Sequence, residues 1–300
     1  MTTTVSTTTG SPTLRALRPR QWSKNVLVFA APGAAGVLTD PGDLARTVVA
    51  FVAFCFASSG IYLWNDLVDV DADRAHPTKR DRPIASGALA VTRARTLGLV
   101  LPALGLATAA ATGRWQTVAV VAVYLIVTLS YTFRFKREPV LDIVAVAAGF
   151  VLRAAAGAVA VDVPMSRWFV LCVMFGSLFI VVGKRYAELQ ELGADAGTRA
   201  TLETYTPGFL HILLAVSLGG ALISYCVWAF ETSATAEGTT DGLAFYELSI
   251  VPMLVALLRY LLVLERGDGS APEEVFAQDR VLQVAGLCWL VIYGVAVYTA

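Results

Sequence analysis

Apolar stretches long enough to cross a lipid bilayer recur along the 300-residue chain, and they constrain its fold more than any other feature. A membrane-spanning helix needs about 20 consecutive, mostly apolar residues. With 56% hydrophobic residues and a mean hydropathy of +0.65, the chain exceeds the values usual for a soluble domain. The sequence therefore predicts an all-α, polytopic membrane protein with nine transmembrane helices, at roughly residues 24–38, 45–64, 92–112, 115–133, 140–160, 165–183, 209–229, 247–264 and 280–299.

The amino terminus differs from the rest of the chain. Residues 1–20 are rich in threonine and have no apolar segment before their arginines, so we expect a disordered cytoplasmic tail and not a signal peptide. Residues 21–300 are predicted to form one membrane domain. The formal net charge of zero gives no reason to expect a nucleic-acid partner, because no excess positive charge is available for a phosphate backbone.

Basic residues are distributed unevenly between the two predicted sides of the membrane. With the amino end inside, only three of the 23 Lys and Arg residues fall on the outer side, namely Arg46, Arg114 and Arg167. A fourth, Arg153, falls within a span. The positive-inside rule predicts such a bias, which supports both the helix count and the orientation.

The segment NDLVDVDAD, which begins at Asn65, places four aspartates directly after the second apolar stretch. If it continues that helix at 100° per residue, Asp66, Asp69 and Asp73 fall within about 60° of one another. Asn65 lies within about 40° of Asp69, whereas Asp71 points about 140° away from Asp66. A stripe of oxygen ligands suits Mg²⁺, which accepts phosphate oxygens of a substrate as further ligands. The alternative is a solvated helix end.

Basic side chains follow the acidic stripe and recur in the next inner loop. Arg82 lies in RDRPIASG, and the loop YTFRFKREPVLD contributes Tyr131, Lys136 and Arg137. We expect these residues to contact an anionic ligand beside the metal. The alternative for basic residues at this level is that they anchor lipid headgroups.

Two charged residues are predicted inside the fifth span. Asp142 and Arg153 are eleven residues apart, close to three helical turns, so they lie on one helix face. A charge within a membrane helix usually faces a partner or a cavity. We therefore expect both side chains to face a shared polar interior.

The inner loop after the sixth span opens with GKRYAEL, which contains Lys184, Arg185, Tyr186 and Glu188. Glu188 follows Lys184 by four residues and Arg185 by three, so one interpretation is a salt-bridged helix end without a functional role. The other is that the basic residues contact phosphates.

The polar segments together resemble a known family. The pattern at Asn65, Asp66, Asp69 and Asp73, followed by RDRPIASG, resembles the UbiA-type superfamily of intramembrane polyprenyltransferases. Within it, RPRQWSKN, YTFRFKREPVLDIVAVAAGFVLRAAAG and GKRYAEL are similar to the decaprenyl-phosphate phosphoribosyltransferases of mycobacteria and their relatives. The resemblance covers almost the whole chain.

The resemblance implies nine helices around a central cavity that opens to the cytoplasm, in a bacterial plasma membrane. It implies transfer of 5-phosphoribose from phosphoribosyl pyrophosphate to a polyprenyl (decaprenyl) phosphate, for synthesis of a cell-wall arabinan precursor. Diphosphate is released. The implied cofactor is Mg²⁺, and a homo-oligomer is compatible with the resemblance.

The roles expected on this basis fall into three groups. The metal ligands are Asn65, Asp66, Asp69 and Asp73. The catalytic residues are Asp66, Asp69, Asp73, Lys184 and Arg185. The substrate-binding residues are Lys24, Arg82, Tyr131, Lys136, Arg137, Asp142, Arg153, Tyr186 and Glu188.

Two other functions remain open from the sequence. Ordinary members of the superfamily carry a second aspartate-rich motif after the sixth span, and Glu188 with Glu191 provides an E-x-x-E substitute, so transfer of a prenyl group to an aromatic or other acceptor is the main alternative. A transporter without chemistry is the second. Transporters concentrate ionisable residues near the membrane midplane, whereas here they collect on one face.

Overall fold

The computed structural model describes residues 11–192, 201–202, 204–235, 245–267, 269 and 271–299. Within these residues the chain is helical and contains no β-strand. The α-helices are α1 (Pro12–Leu17), α2 (Ala30–Ala34), α3 (Pro41–Val68), α4 (Val70–Ala75), α5 (Val91–Ala110), α6 (Trp115–Phe133), α7 (Leu141–Val161), α8 (Arg167–Leu192), α9 (Pro207–Thr235), α10 (Phe245–Leu248), α11 (Ile250–Glu265), α12 (Pro272–Gln278) and α13 (Arg280–Thr299). Four segments are 3₁₀-helical: Pro19–Phe29, Val37–Thr39, Lys79–Asp81 and Phe135–Arg137.

Seven helical regions in the described part of the chain are long and apolar enough to cross a membrane. They are α3, α6, α7, α8, α9, α10 together with α11, and α13. The prediction of an all-α, multi-pass membrane protein is therefore confirmed. Two of the nine predicted spans, the first and the third, are not among the seven. The third corresponds to α5, whose first two turns carry Arg93 and Arg95.

The first predicted span, residues 24–38, is not one regular helix. The chain forms the 3₁₀ segment Pro19–Phe29 and then only a short α2. The 3₁₀ segment packs tightly on α7, because a Cβ atom at Gly157 would lie 1.7 Å from the carbonyl oxygen of Val28. Small residues permit this kind of approach between membrane helices. The contact holds the irregular segment against α7, with Asn25 and Val28 buried.

The amino-terminal tail was predicted to extend to residue 20, but the structure forms α1 within it. Ser11 caps this helix by accepting the backbone N–H of Leu14 at 3.2 Å. Ala16 is buried in a cluster with Leu63 and Ile84, so apolar contact holds α1 against the bundle. Residues 1–10 lie outside the described residues. The consequence for function is that Arg18, which follows α1, is fixed in place.

Helix α3 is the central element and packs on α5, α6 and α7. Asp40 caps its amino end by accepting the N–H of Asp43, and Pro41 occupies the first helical position, where no N–H is needed. A Cβ at Gly60 would lie 2.4 Å from Pro102 of α5, so glycine permits this crossing. The carboxyl end of α3, which carries the acidic motif, is thereby held rigidly among its neighbours.

Candidate active site

The predicted aspartate stripe lies where α3 continues into α4. The backbone N–H of Asp69 donates to the carbonyl of Asn65, and that of Asp73 donates to Asp69, so the helical i, i+4 pattern persists across the junction. Asp66 and Asp73 are buried, and Asp69 is partly exposed. The side chain of Asp71, in contrast, is 90% exposed. The structure thus separates Asp71 from the other three, as helix geometry predicts.

Arg82 joins the two buried aspartates. Its Nη1 donates to Asp73 Oδ2 at 2.7 Å and to Asp66 Oδ1 at 3.1 Å. The residue is positioned by the Lys79–Asp81 turn and by the hydroxyl of Ser86, which donates to the carbonyl of Arg82 at 2.9 Å. One guanidinium nitrogen therefore lies between two carboxylates.

Two further basic side chains reach the stripe from distant parts of the sequence. Arg18 binds Asp66 and lies over the ring of Tyr62, with 5.2 Å between its guanidinium carbon and the ring centroid. Lys136, in the Phe135–Arg137 turn, binds Asp69. The stripe therefore has three carboxylates and three paired cations, which come from the amino-terminal segment and from the loops that follow α4 and α6. Asn65 is held separately, because its Oδ1 accepts the Thr132 hydroxyl at 2.7 Å.

These side chains enclose a cavity of about 360 Å³, which we call the aspartate cavity. Of the predicted binding residues, Arg82, Tyr131, Lys136 and Arg137 line it. The full lining is Arg18, Tyr62, Asn65, Asp66, Asp69, Ala72, Asp73, His76, Lys79, Arg82, Tyr131, Lys136 and Arg137. A cavity with both signs of charge is complementary to an anion that binds together with a cation.

The donor set of the aspartate cavity fits a magnesium ion that is shared with a phosphate ligand. In the part of the chain that the structure describes, no three His, Cys, Asp or Glu side chains are grouped closely enough to hold a metal by themselves. Mg²⁺ usually binds one or two carboxylates and takes its other ligands from water and substrate phosphates. Arg82 Nη1 already occupies a cation position between Asp66 and Asp73.

Arg185, which the sequence predicts as a catalytic residue, lies in a second and closed network. Its Nε donates to Asp142 Oδ2 at 3.1 Å, and its Nη1 donates to Glu188 Oε2 at 2.9 Å. Only 3% of the Arg185 side chain and 1% of the Asp142 side chain are exposed. Thr201 and Tyr205 donate to the same Asp142 carboxylate. We call these five residues the Asp142 cluster.

The Asp142 cluster also stabilises an unusual backbone conformation. Val140 has a φ of 69°, which is rare for a β-branched residue and costs about 1–3 kcal/mol. Its N–H donates to the Tyr205 hydroxyl at 2.6 Å. Burial, and then the hydrogen bond to Asp142, raise the pKa of Tyr205 above its ordinary value, so this hydroxyl stays protonated. None of the five side chains lines the aspartate cavity, so contact of Arg185, Asp142 and Glu188 with substrate stays a prediction that this lining does not support.

Lys184 and Tyr186 are also placed away from the aspartate cavity. Lys184 Nζ lies 3.9 Å from Glu188 Oε1, so the salt-bridged helix end that was kept as an alternative is present. The Tyr186 hydroxyl donates to Glu265 at 3.3 Å, and its ring meets that of His211 edge-on. Tyr186 therefore faces α9 and α11 and not the acidic stripe.

Arg153 is buried, as predicted, but it does not share an interior with Asp142. Its Nε donates to Asn25 Oδ1 at 2.7 Å, its Nη1 to the carbonyl of Gly149 at 2.7 Å, and its Nη2 to the Tyr124 hydroxyl at 3.1 Å. Among the described residues no carboxylate forms an ion pair with it. Arg153 therefore contributes a positive charge that only neutral groups solvate.

Lys24 lies in another cavity, of about 500 Å³, which we call the apolar cavity. Its lining comes from the 3₁₀ segment and from α7, α8, α9, α11 and α12. The residues are Ser23, Lys24, Leu27, Phe150, Cys172, Val173, Gly176, Ser177, Ile180, Ala221, Met253, Leu257, Pro272, Glu273 and Phe276. Its two charged side chains face each other, with Lys24 Nζ 4.0 Å from Glu273 Oε2.

Sequence reasoning missed Arg18 and Glu273 as site residues. Arg18 opens the motif RPRQWSKN, and its left-handed backbone between α1 and Pro19 turns its side chain toward Asp66. The basic residues in that motif were the sequence feature from which Arg18 could have been predicted as a site residue. No local sequence feature marks Glu273 as a site residue, because it contacts Lys24 across about 250 residues of sequence.

The chain is similar to proteins of known activity over nearly its full length. It is 45% identical over 289 residues to a decaprenyl-phosphate phosphoribosyltransferase of Corynebacterium glutamicum, covering 95% of this chain and 86% of that protein. The enzyme of the same name from Mycolicibacterium smegmatis is 44% identical, with 95% and 92% covered. That of Mycobacterium tuberculosis is 41% identical, with 95% and 93% covered.

Solved structures support the fold. A UbiA homolog from Archaeoglobus fulgidus, bound to GPP and Mg²⁺, superimposes with a TM-score of 0.73 at 22% identity, covering 97% of this chain and all of that one. The same homolog bound to Cd²⁺ gives a TM-score of 0.71 at 20% identity, with the same coverage. The profile of the UbiA prenyltransferase family matches residues 26–294. The chain belongs to the UbiA prenyltransferase family.

Proposed function

We propose that this protein is a phosphoribosyltransferase that moves 5-phosphoribose from phosphoribosyl pyrophosphate to a polyprenyl phosphate, such as decaprenyl phosphate, and releases diphosphate. Relatives of 41–45% identity that bear this activity in their names support the proposal. We further propose that nine helical segments cross the bacterial plasma membrane and that the aspartate cavity faces the cytoplasm. The product is then a precursor for cell-wall arabinan.

The observation that carries the proposal is the set of basic side chains at the acidic stripe. Arg18, Arg82 and Lys136 each pair with an aspartate, and Arg137 lines the same cavity. A donor that carries a diphosphate and a 5-phosphate presents more negative charge than a prenyl diphosphate does. Arginine in particular binds phosphate through two parallel hydrogen bonds. The mixed lining therefore suits the phosphoribosyl donor.

The alternative, prenyl transfer with a second metal, lacks support at the E-x-x-E sequence. Glu188 is engaged with Arg185 and Lys184. Glu191 lies at the exposed surface, where it lines a separate pocket with Arg259. Neither carboxylate lines the aspartate cavity, so the pair does not form the second acidic site that a prenyltransferase of this superfamily needs.

The proposed reaction breaks the bond between C1 of ribose and the diphosphate oxygen, and the electron pair leaves with diphosphate. Asp66, Asp69 and Asp73, with Asn65 beside them, would hold Mg²⁺, and the charge of the bound ion would stabilise this leaving group. Arg82 and Lys136 shift from the carboxylates to the phosphates, which offsets the charge that develops as the bond breaks.

A phosphate oxygen of the lipid forms the new bond to C1, with inversion at that carbon. This oxygen is already anionic near neutral pH, so no side chain has to remove a proton. The apolar cavity gives room for the isoprenoid chain, because its lining is almost entirely hydrocarbon. We assign no general base.

The decisive test is an assay of the purified protein with labelled phosphoribosyl pyrophosphate, decaprenyl phosphate and Mg²⁺. We expect a labelled lipid and an equal amount of diphosphate. A parallel reaction supplies a prenyl diphosphate and an aromatic acceptor. Should only that second reaction release diphosphate, the protein is a prenyltransferase and the proposal is wrong.

A further inference from the structure

The contact between Lys24 and Glu273 is unusual for an ion pair within a largely apolar lining. The two charged atoms are 4.0 Å apart, at the outer limit of an ion pair. Glu273 Oε1 accepts the side-chain amide of Gln21 at 2.8 Å, but Oε2 is buried and has no hydrogen-bond partner among the described residues. A buried carboxylate oxygen without a hydrogen bond costs stability. This contact is therefore a poor one, and a better anion can replace it.

Of the basic residues that act electrostatically on Lys24, Arg153 has no carboxylate partner among the described residues, whereas Arg18 and Lys184 pair with Asp66 and Glu188. Lys184, Arg153 and Arg18 all lie close enough to Lys24 to act on it electrostatically, and Lys184 also acts on Glu273. Burial alone would raise the pKa of Glu273, but the Gln21 hydrogen bond and the Lys24 charge hold it below its ordinary value. Glu273 is therefore an anion at neutral pH, in a place that attracts anions.

We propose that the Glu273 carboxylate occupies the position beside Lys24 that the phosphate of the acceptor lipid takes. The carboxylate neutralises Lys24 while the apolar cavity is empty, and an isoprenoid monophosphate that enters the cavity displaces the carboxylate from Lys24. The inference rests on the proposed function. Lys24, with Ser23 beside it, then binds the phosphate, and the hydrocarbon lining from Leu27 to Phe276 takes the chain. Charge-assisted hydrogen bonds to a phosphate are stronger than the present 4.0 Å contact.

Two phosphates share this chemistry, the lipid's phosphate and the 5-phosphate of the donor. The lining decides between them, because apart from Ser23, Lys24, Ser177 and Glu273 its side chains are hydrocarbon or sulfur. A sugar phosphate would leave its hydroxyls unpaired against such walls, at a cost in free energy. The ligand at Lys24 is therefore the phosphate of the lipid.

Direct binding of geranylgeranyl phosphate to the purified full-length protein, titrated by native mass spectrometry, tests the inference without requiring turnover. Lys24→Ala should weaken binding by about tenfold or more, the loss typical of one charge-assisted contact. Glu273→Gln removes the competing carboxylate and should strengthen binding by about threefold to tenfold. Glu274→Gln is the matched control, since it makes the same change one residue further along α12 on an exposed side chain, and we expect affinity within about twofold of the wild type.

Further titrations with phosphoribosyl pyrophosphate and with inorganic phosphate separate the possible sources of the phosphate. If Lys24→Ala weakens binding of phosphoribosyl pyrophosphate and not binding of the lipid, Lys24 binds the donor's 5-phosphate and the inference is overturned. The inference is also overturned if the Glu273→Gln protein binds the lipid with no higher affinity than the Glu274→Gln protein. Because these titrations report binding alone, they stay informative even if the transfer assay shows a different reaction.

Discussion

The aspartate cavity and the Asp142 cluster are built from the same residue types, but they differ in access. In both, carboxylates pair with basic side chains. The Arg82 side chain is 30% exposed, whereas that of Arg185 is 3% exposed. A phosphate or metal can reach the first guanidinium and exchange partners with it. The second is enclosed, and opening it would leave the buried Asp142 without a cation.

This difference separates a binding site from a structural element. A buried ion pair contributes little net stability, yet removing one partner typically costs about 3–5 kcal/mol because the other charge remains buried. A pair at a cavity wall carries a smaller penalty, since water or ligand replaces the lost partner. Charge composition alone therefore does not identify the catalytic residues of this chain.

The comparison predicts its largest effect at Arg185. Arg185→Ala leaves Asp142 and Glu188 without their main cation, so we expect little folded protein, as judged by size-exclusion chromatography and melting temperature in detergent. Arg185→Lys should recover part of the yield. If Arg185→Ala instead gives a normal yield and only a weaker affinity for phosphoribosyl pyrophosphate, the residue belongs to the substrate site as the sequence suggested.

The next effect concerns the stripe itself. Asp66→Ala and Asp73→Ala should each lower turnover by about 100-fold or more while the protein stays folded, because the metal that would neutralise the diphosphate loses a carboxylate ligand. Asp71→Ala is the matched control, and its exposed position predicts turnover within about twofold of the wild type. Equal losses of turnover in all three variants would contradict the separation of Asp71 from Asp66 and Asp73.

Arg82 tests whether the paired cations bind substrate. Arg82→Ala should raise KM for phosphoribosyl pyrophosphate by about ten- to a hundred-fold, the cost of one charge-assisted contact, which is about 1.5–3 kcal/mol. Arg80, in the same turn but exposed, is the control. An unchanged KM in Arg82→Ala, measured beside Arg80→Ala, would show that Arg82 only neutralises the aspartates.

Tyr186 is expected to give the smallest effect. Tyr186→Phe removes the 3.3 Å hydrogen bond to Glu265, and neither residue lines the aspartate cavity, so the transfer rate should stay within about twofold of the wild type. Its melting temperature should fall only slightly. A large loss of affinity for either substrate in Tyr186→Phe would show that Tyr186 belongs to the substrate site.

The sequence predicts the parts of the site that depend on local geometry. Helix periodicity alone separates Asp71 from Asp66 and Asp73, and the loops after α4 and α6 bring Arg82 and Lys136 to the stripe. The distribution of basic residues and the apolar stretches predict a multi-pass helical protein. The separation of Asp71 holds because it depends on residues within a few turns of one another.

The remaining features depend on contacts that no local pattern encodes. Arg185 is enclosed because Asp142, which also accepts a hydrogen bond from Tyr205, meets it from a distant part of the chain. Arg18 reaches Asp66 across 48 residues, and the irregular first segment depends on the space that Gly157 leaves. In each case long-range packing decides between a substrate contact and a structural one.

The most direct test of the account is equilibrium binding of phosphoribosyl pyrophosphate to the purified protein, with and without Mg²⁺, in the wild type, Asp66→Ala and Asp71→Ala. Saturable, Mg²⁺-dependent binding should be present in the wild type and Asp71→Ala and absent in Asp66→Ala. Binding of the same affinity in all three proteins would contradict the assignment of the aspartate cavity as the donor site.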